Sequence, residues 1–564
     1  MKSQFLFSRM TFHKSLVFLL ILLLGFFIFK NISYPLLWHD EGETAVYAER
    51  ILRFGYPKIH DEKNRLYLLT SWNNKVGVRE DTDAYLSSWG QYYFCAIGAF
   101  LARKTDDLYT KTACLRVPFA LAGFAGILLA GLIPVPLFRK TGERWVFYAL
   151  FLFLELFSVP LILHIRQVRY YALTILIVAC LLGITVWKKY DQGFSSRLYA
   201  LLTVFFSLML FHVYFPALIC FLLFIGIWET AVHFFCMAKG LIGKKGSFPE
   251  CLHAWFLSLG PYFIAGLLLI PFFLYFRTFE ITEFYHDRWD FNLRIYGLNC
   301  RFIFDFFLKK DWLFAFLILR FFSFYCRIRY RERPFVFLEP HSRLSDFLTV
   351  FFLVSCLMIA RNSILFERYF IWLNPVLTMI VLLDAFFLYH FLAACSSEPH
   401  LKIKWIVFCF LLMFYHGGKK ADYVSRYFHE LFHPYKGPLD YLIPYIRQNY
   451  SHPDALQIVT NFEKTPYMYY LNCKMADYYN EDLPTREPDI LIYRKGWEPT
   501  RRTSPQFWKW FKKDSQWDRV LFPVYDYFCN NSPESCHHLF KTKWAEYETQ
   551  CTELIERKEL RIQN

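Results

Sequence analysis

The chain has 564 residues, of which 55% are hydrophobic and 20% are charged, and it contains 65 Phe. Its mean hydropathy is +0.24. A composition this apolar excludes a wholly soluble enzyme and a disordered scaffold, because most of the surface of such a chain cannot face water. We therefore expect a membrane-embedded part and a polar part outside the membrane.

The net charge of +15 does not indicate a nucleic-acid partner, because nearly all of the excess lies before Lys419, among the apolar segments. Lys and Arg concentrate in alternate short connections, such as residues 139–144 and 327–343. Cytoplasmic loops of membrane proteins retain such charges. This pattern predicts a cytoplasmic amino terminus and an exported carboxyl-terminal part.

Apolar windows of the length that a spanning helix needs predict about eleven transmembrane helices. They are residues 15–29, 117–138, 145–165, 168–187, 198–214, 215–237, 251–276, 312–326, 347–360, 369–394 and 403–415. The first window has the basic start and the apolar run of a signal peptide, but no small-residue cleavage site follows it. We interpret it as an uncleaved anchor and expect a multi-pass protein of a bacterial inner membrane.

The predicted fold is a polytopic α-helical membrane domain over residues 1–418, followed by a small exported α/β domain over residues 419–564. Strand-like runs at 456–460, 489–493 and 519–525 alternate there with helical runs at 464–471 and 504–513. Two predicted outer loops, residues 30–116 and 277–311, are too long to be simple links. Long polar loops on one side of a helical base are typical of a binding site.

A few polar residues outside these loops have a functional and a simpler explanation. Glu155 and Asp384 lie within predicted spans, where carboxylates are functional hypotheses by default, although a hydrogen bond to a neighbouring helix also explains them. Cys529 and Cys536 lie in the predicted exported domain, where a disulfide between them is allowed.

The most specific motif follows the first predicted span and covers residues 39–57, HDEGETAVYAERILRFGYP. Asp40 fits a helix N-cap with Glu43 at the third position, and Gly55 fits the helix end. In one interpretation these carboxylates only cap a surface helix. In the other, Asp40 and its neighbour Glu41 lie where the chain leaves the bilayer, and a carboxylate there abstracts a proton from a hydroxyl that meets a membrane-held donor.

The Asp-Glu pair directly after the first span, followed by Ala-Glu-Arg-Ile-Leu and Gly-Tyr-Pro, resembles the integral-membrane glycosyltransferases of the GT-C fold. These include the protein O-mannosyltransferases and the lipid A aminoarabinose transferases. A second stretch, HIRQVRYYAL at residues 164–173, is similar to an Arg-Gln-x-Arg-x-Tyr-Ala-Leu element of bacterial members. A third, YLSSWGQYY at residues 85–93, is similar to the second surface helix of their outer loop. The resemblance covers roughly residues 38–187.

The resemblance implies inverting transfer of a sugar from a polyprenyl-phosphate donor to an acceptor glycolipid, polysaccharide or protein on the non-cytoplasmic side. Asp40 would be the base, and Glu41 would help to hold the acceptor, or a metal if one is used. Phosphate is already a usable leaving group, so this scheme requires no cofactor, although a divalent metal is compatible with it. Asp81 and Asp83 have the Asp-x-Asp spacing of a metal site, but acidic runs in polar loops are usually just solvated.

Cations for the departing phosphate are expected at the outer boundary of the membrane. Arg166 and Arg169 are three residues apart and hence neighbours on one helical face, with Tyr170 next to Arg166 one turn on. Arginine suits phosphate because its planar fork binds two oxygens. The alternative for Arg166 and Arg169 is interfacial snorkelling to lipid headgroups. Arg361 and Arg368 form a second candidate pair.

Two further classes of function compete with the enzyme. A transporter or flippase of a lipid-linked sugar is expected to show repeats and midplane polar groups, whereas the polar groups here crowd the outer boundary. A non-catalytic surface protein with a membrane anchor does not need eleven spans. We therefore favour a glycosyltransferase whose partners are the bilayer, a polyprenyl-phosphate sugar and the acceptor.

Overall fold

The computed structural model describes residues 2–66, 69–71, 74–79, 81–190, 193–243, 248–288, 291–329, 339–395, 399–415, 417–433, 436–477, 487–494, 505–512, 517–522, 524 and 552–557. The predicted Cys529–Cys536 pair lies outside the described residues.

Nineteen α-helices lie in the described part of the chain. They are α1 (Lys2–Phe29), α2 (His39–Phe54), α3 (Gly90–Ala102), α4 (Leu108–Leu132), α5 (Thr141–Glu155), α6 (Val159–Ile165), α7 (Tyr171–Tyr190), α8 (Ser196–Gly243), α9 (Phe248–Tyr275), α10 (Thr278–Arg288), α11 (Leu293–Lys310), α12 (Leu313–Arg329), α13 (Glu339–Ile359), α14 (Asn374–Cys395), α15 (Pro399–Met413), α16 (Gly417–Phe432), α17 (Leu439–Asn449), α18 (Lys464–Leu471) and α19 (Pro505–Phe511).

Nine strands lie in the same described residues. They are β1 (Leu69–Ser71), β2 (Asn74–Val76), β3 (Val78–Arg79), β4 (Ala84–Tyr85), β5 (Gln457–Thr460), β6 (Lys474–Asp477), β7 (Ile490–Tyr493), β8 (Trp517–Phe522) and β9 (Thr552–Arg557).

The chain is a multi-pass helical membrane protein. Among the described helices, seven are long and apolar enough to cross a membrane, and the number is up to eight if the bent pair α5 and α6 forms one span. The described helices therefore account for fewer spans than the eleven that the sequence predicted. Two of the predicted spans are not among these seven or eight helices. One corresponds to α12, which carries Arg320 in its middle, and the other corresponds to the short apolar helix Ile403–Met413.

The remaining difference in span number lies in α8. Its apolar part, Ser196–Phe235, has 40 residues and forms one continuous apolar stretch. At 1.5 Å per residue such a helix is about 60 Å long, twice the thickness of the hydrocarbon core. Tyr214 interrupts it with non-helical angles (φ −154°, ψ 87°), two residues before Pro216. The sequence predicted a boundary between two spans at this same residue.

The chain divides into two compact units. The first comprises residues 1–28, 121–165 and 170–424, and the second comprises residues 29–120, 166–169 and 425–564. The predicted outer loop 30–116 thus belongs to the same unit as most of the predicted exported domain. The linear division at residue 418 stays a prediction.

Small residues let helices of the first unit approach closely. A Cβ at Gly126 of α4 would lie 2.8 Å from the backbone nitrogen of Leu176 in α7, and a Cβ at Gly123 would lie 2.6 Å from the Cβ of Ile165. Membrane helices associate through such close packing, because lipid provides no hydrophobic driving force between them. These glycines therefore fix the approach of α4 to α6 and α7.

In the second unit, the acidic motif forms a short helix that packs against its neighbour. Helix α2 ends where Gly55 adopts a left-handed conformation (φ 85°) and its N–H donates to the Ile51 carbonyl, as the sequence predicted. Tyr47 of α2 stacks on Tyr85 with ring centroids 4.9 Å apart, and Tyr92 of α3 lies 4.9 Å from the Tyr47 ring. These buried aromatic rings hold α2 against α3.

The carboxyl-terminal part of the second unit is a small α/β domain, as predicted. Its five-stranded sheet has the order β6-β5-β7-β9-β8; β5 pairs parallel with β6 and β7, and β9 pairs antiparallel with β7 and β8. The prediction of helix 464–471 matches α18, and the three predicted strands match β5, β7 and β8 over their described residues. Val459, Leu491, Phe507, Trp510 and Ile555 form its core.

Buried hydrogen bonds join this α/β domain to the segment that precedes α2. The Asp440 carboxylate accepts from the Leu36 N–H at 3.0 Å, and the Tyr470 hydroxyl accepts from the Leu37 N–H at 3.2 Å. Both partners of each bond are buried, and buried backbone donors that lose such partners are costly. The chain entering α2 is therefore held by the α/β domain.

Candidate functional site

The candidate site is built on the first turns of α2, where the sequence motif lies. Trp38 occupies the N-cap position, and its indole is a donor only, so it cannot accept a hydrogen bond from the N–H groups of the first turn. Asp40 is the second helical residue. The prediction that Asp40 is the N-cap is therefore wrong. Asp40 and Glu43 are three residues apart on a helix and share a face. Neither of these two carboxylates occupies the N-cap position of α2.

Asp40 faces Arg169 within the second unit. The Arg169 Nη2 atom lies 3.7 Å from the Asp40 Oδ2 atom, and the two side chains are 13% and 16% exposed. The Arg169 Nη1 atom also donates to the Asp40 carbonyl and to the Thr44 hydroxyl, both at 3.2 Å. The Asp40 carboxylate is thus oriented by an arginine and remains partly exposed. The predicted phosphate role of Arg169 stays a prediction.

Glu41 has a different environment from Asp40. Its side chain is 0% exposed and accepts from Arg116 Nε at 2.9 Å and Arg116 Nη2 at 2.6 Å. It also accepts from the Val168 N–H at 2.9 Å. Arg116 further donates to the carbonyls of Ile32 and Pro35. This buried bidentate pair connects α2, α4 and the segment 166–169. The geometry indicates that Glu41 positions the site, while its predicted role at the acceptor stays a prediction.

Arg116 is a residue that the sequence reasoning did not single out. It stands at the edge of a predicted span, directly before Val117, and its guanidinium is about as buried as Glu41. A charged residue at the border of an apolar run is a functional or structural hypothesis by default. The position of Arg116 was visible in the sequence. Its partner Glu41, 75 residues away, could not be predicted from the sequence.

Glu43 is the second carboxylate on this face of α2. Burial raises its pKa, and the negative charge of Asp40 acts in the same direction, whereas Arg169, His39 and Lys464 lower it; the net effect is a raised pKa. Asp40 and Glu43 thus share one arginine. Two neighbouring carboxylates in different environments are a common arrangement in acid–base sites.

Arg166 lies near Arg169 in sequence but binds a different set of partners. Its guanidinium donates to the Tyr427 hydroxyl at 2.7 Å and to the carbonyls of Lys30 and Asn31 at 3.1 and 2.8 Å. The prediction that Arg166 and Arg169 share a helical face is wrong, because residues 166–170 form a bend between α6 and α7. The contacts of Arg166 fix backbone, and its predicted phosphate role stays a prediction.

The other predicted phosphate ligands belong to the first unit. Tyr170 is buried and stacks on Tyr214 with ring centroids 4.4 Å apart. The Arg368 guanidinium lies 4.1 Å from the centroid of the Phe366 ring. Arg361 is exposed, and its carbonyl oxygen lies 3.2 Å from His286 Nε2. The roles of these three residues stay predictions.

Within the described residues, one group of side chains has the spacing of a metal site. Ligand atoms of His39, Asp40 and Glu43 all lie within 4.8 Å of one another. Oxygen and imidazole donors suit several divalent ions. Arg169 lies 3.7 Å from the Asp40 carboxylate, and the charges of Arg169 and Lys464 both lower the Glu43 pKa, so cations already act on these two carboxylates.

The predicted Asp-x-Asp pair is arranged differently. The exposed Asp81 accepts from the Arg79 Nε atom at 2.8 Å, and Asp83 accepts from the His60 N–H at 2.8 Å. The exposed position and the separate partners match the solvated alternative of the sequence analysis better than a shared metal.

The two intramembrane carboxylates lie in the first unit. Asp384 accepts from Arg320 Nη1 at 2.9 Å and from the Ser345 hydroxyl at 2.9 Å. Glu155 is fully buried at the end of α5. Asp384 is thus a helix-to-helix contact, which is the simpler of the two explanations.

These observations define a multi-pass helical membrane protein with a carboxylate–arginine site on a short helix after its first span. The solved structures that are similar to it include two of ArnT from Cupriavidus metallidurans. The complex with undecaprenyl phosphate has 13% sequence identity and a TM-score of 0.47, and the likeness covers 96% of this chain and 98% of that chain. The apo structure has 12% identity and a TM-score of 0.49, with coverage of 97% and 99%.

No protein-family model matches the sequence, and no curated protein matches it.

Proposed function

We propose that the protein is an inverting glycosyltransferase that moves a sugar from a polyprenyl-phosphate donor to an acceptor glycolipid, polysaccharide or protein. The observation that carries the proposal is the pair of Asp40 and Arg169, 3.7 Å apart and partly exposed, at the start of the first helix after an apolar span. A positioned carboxylate beside a permanent cation supplies both a base and a counter-charge for phosphate. We also propose that the site lies on the exported side of a bacterial inner membrane.

In the proposed reaction the Asp40 carboxylate takes the proton of an acceptor hydroxyl. The acceptor oxygen then forms a bond to the anomeric carbon of the sugar from the face opposite the phosphate. The bond between that carbon and the phosphate oxygen breaks, and its electron pair leaves with the polyprenyl phosphate. Arg169 is placed to offset negative charge near the base, and preorganised charge of this kind is a major source of catalysis. Glu41 and Arg116 hold the helix that carries Asp40.

The test of this function is the release of free polyprenyl phosphate. The full-length protein in lipid nanodiscs is given a panel of undecaprenyl-phosphate hexoses and pentoses together with envelope extract as the acceptor source. We expect one donor to yield free undecaprenyl phosphate and an equal amount of glycosylated acceptor, measured by mass spectrometry. A flippase would instead move labelled donor across proteoliposomes with the sugar bond intact. That result, with no bond cleavage for any donor, would reject the enzyme.

We further propose that transfer needs no metal. Because the positive charges of Arg169 and Lys464 already act on the carboxylates beside His39, we expect EDTA to leave the transfer rate of the wild type unchanged. We also expect the His39→Ala variant to have the same transfer rate with and without EDTA. Mn²⁺, Mg²⁺ and Zn²⁺ added back after chelation provide the check. Loss of activity in EDTA that one of these ions restores, in wild type but not in His39→Ala, would assign a metal to the site.

A further inference from the structure

We infer that the connection from β5 to α18, residues 461–466 of the α/β domain, is a wall of the carboxylate site, and that Lys464 is a positioning residue for Glu43. The inference rests on the proposed function for its catalytic consequence, but its geometry does not depend on that function. It assigns to the carboxyl-terminal domain a part in the reaction centre rather than a separate binding role.

The first support is the close approach of the wall to α2. A Cβ at Gly42 would lie 2.7 Å from the Pro466 nitrogen and 2.9 Å from the Thr465 carbonyl carbon. Contacts below about 3 Å are essentially never made by a real Cβ, so glycine is required here for space. Gly42 stands between Asp40 and Glu43 on α2. The wall therefore touches the helix at the carboxylates themselves.

Specific polar and aromatic contacts hold the wall in this place. The Thr465 hydroxyl donates to the His39 carbonyl, in the first turn of α2, at 2.5 Å. The Phe462 ring stacks on the His39 imidazole with centroids 5.8 Å apart. The acidic first turn is thus in contact with the α/β domain through both backbone and side chain.

The wall is itself rigidly built. Arg494, at the end of β7, is 1% exposed and forms a buried ion pair with Glu463. The Asn461 side chain donates to the Arg494 carbonyl at 2.8 Å and accepts from the Arg494 N–H at 2.6 Å. Glu463 adopts a left-handed conformation (φ 61°) that turns the chain into α18. A buried ion pair with added hydrogen bonds fixes a conformation even where it adds little net stability.

Lys464 follows this turn and brings a positive charge to the site. It is 3% exposed, and its charge acts on Glu43. A buried ammonium is costly unless a negative charge compensates it. Lys464 belongs to the wall that touches α2 at Gly42, directly before Thr465 and Pro466. Its charge lowers the Glu43 pKa against the burial that raises it, so Lys464 opposes protonation of the carboxylate that shares Arg169 with Asp40.

The test compares the pH profiles of kcat for wild type, Lys464→Met and Lys464→Arg. Removing the Lys464 charge removes one group that lowers the Glu43 pKa, so we expect the acidic limb of the Lys464→Met profile to move to higher pH. Lys464→Arg keeps the positive charge and should therefore keep the acidic limb at its wild-type pH. The groups that face Glu43 and remain in every variant are His39, Asp40, Arg169, Tyr47 and Tyr92.

The matched control is Lys474→Met, which removes an exposed lysine from β6 of the same domain. It should keep the wild-type profile. A Lys464→Met enzyme with the wild-type acidic limb would overturn the role of Lys464. A wild-type protein that cleaves no donor would instead reject the proposed function.

A second comparison needs no substrate. Gly42→Ala forces the wall away from α2, so we expect a clear drop in Tm, whereas Gly297→Ala in α11 has no atom within 4 Å of the added Cβ and should keep or raise Tm. Equal Tm values for Gly42→Ala and wild type would show that the wall does not contact α2 and would overturn the inference whatever the enzyme does.

Discussion

Asp40→Asn should reduce sugar transfer by about two to four orders of magnitude, the range that a general base contributes. The substitution keeps the shape of the side chain and removes both its basicity and its attraction to Arg169, which lies 3.7 Å away. The carboxylate is partly exposed, so its neutralisation should leave folding intact. The measurement is the rate of undecaprenyl phosphate release at saturating donor, together with the Tm of the purified variant.

The matched control for this change is Asp106→Asn, which alters an exposed aspartate of the same outer segment. It should keep the wild-type rate. A Glu43→Gln variant separates the two carboxylates of the site, because it leaves the base and changes only its neighbour. Full activity in Asp40→Asn combined with loss in Glu43→Gln would assign the base to Glu43, and full activity in both would remove α2 from the mechanism.

The sequence predicted well those features that depend on neighbouring residues. The helix at 464–471 and the strand at 490–493 follow from local apolar patterns and turn residues, and both agree with the structure within a residue or two. The end of α2 followed from Gly55 for the same reason. Where a local pattern was ambiguous the prediction failed, as for the N-cap of α2, because Asp40 is as acceptable within the first turn as at its start.

The contacts of the site could not be predicted, because they join residues that are distant in the sequence. Glu41 and Arg116 are 75 residues apart, and His39 and Thr465 are 426 apart. A single sequence does not indicate which of its distant charged residues form ion pairs with one another. The adjacent acidic residues Asp40 and Glu41 therefore looked alike, although one faces partly outward and the other is buried in an ion pair.

Arg116→Met should destabilise the protein by about 3–5 kcal/mol, the cost of leaving one member of a buried ion pair without its partner. The Glu41 carboxylate, at 0% exposure, would keep the Val168 N–H but lose both bonds to the guanidinium, and the carbonyls of Ile32 and Pro35 would lose their donor. The measurement is thermal unfolding of the full-length protein in detergent, followed by its tryptophan fluorescence.

A second Arg–Glu pair of the same unit provides the comparison. Arg103 and Glu49 are also 2.6 Å apart, but their side chains are 47% and 32% exposed. Exposed pairs contribute about 0–1 kcal/mol, so Arg103→Met should change Tm little. The two pairs share chemistry and distance, so a difference in Tm reports the burial of the Arg116 pair together with its added bonds to the Ile32 and Pro35 carbonyls. Equal losses of Tm in Arg116→Met and Arg103→Met would contradict a buried ion pair at Glu41. The Glu41 carboxylate would then be solvent-accessible and able to contact an acceptor.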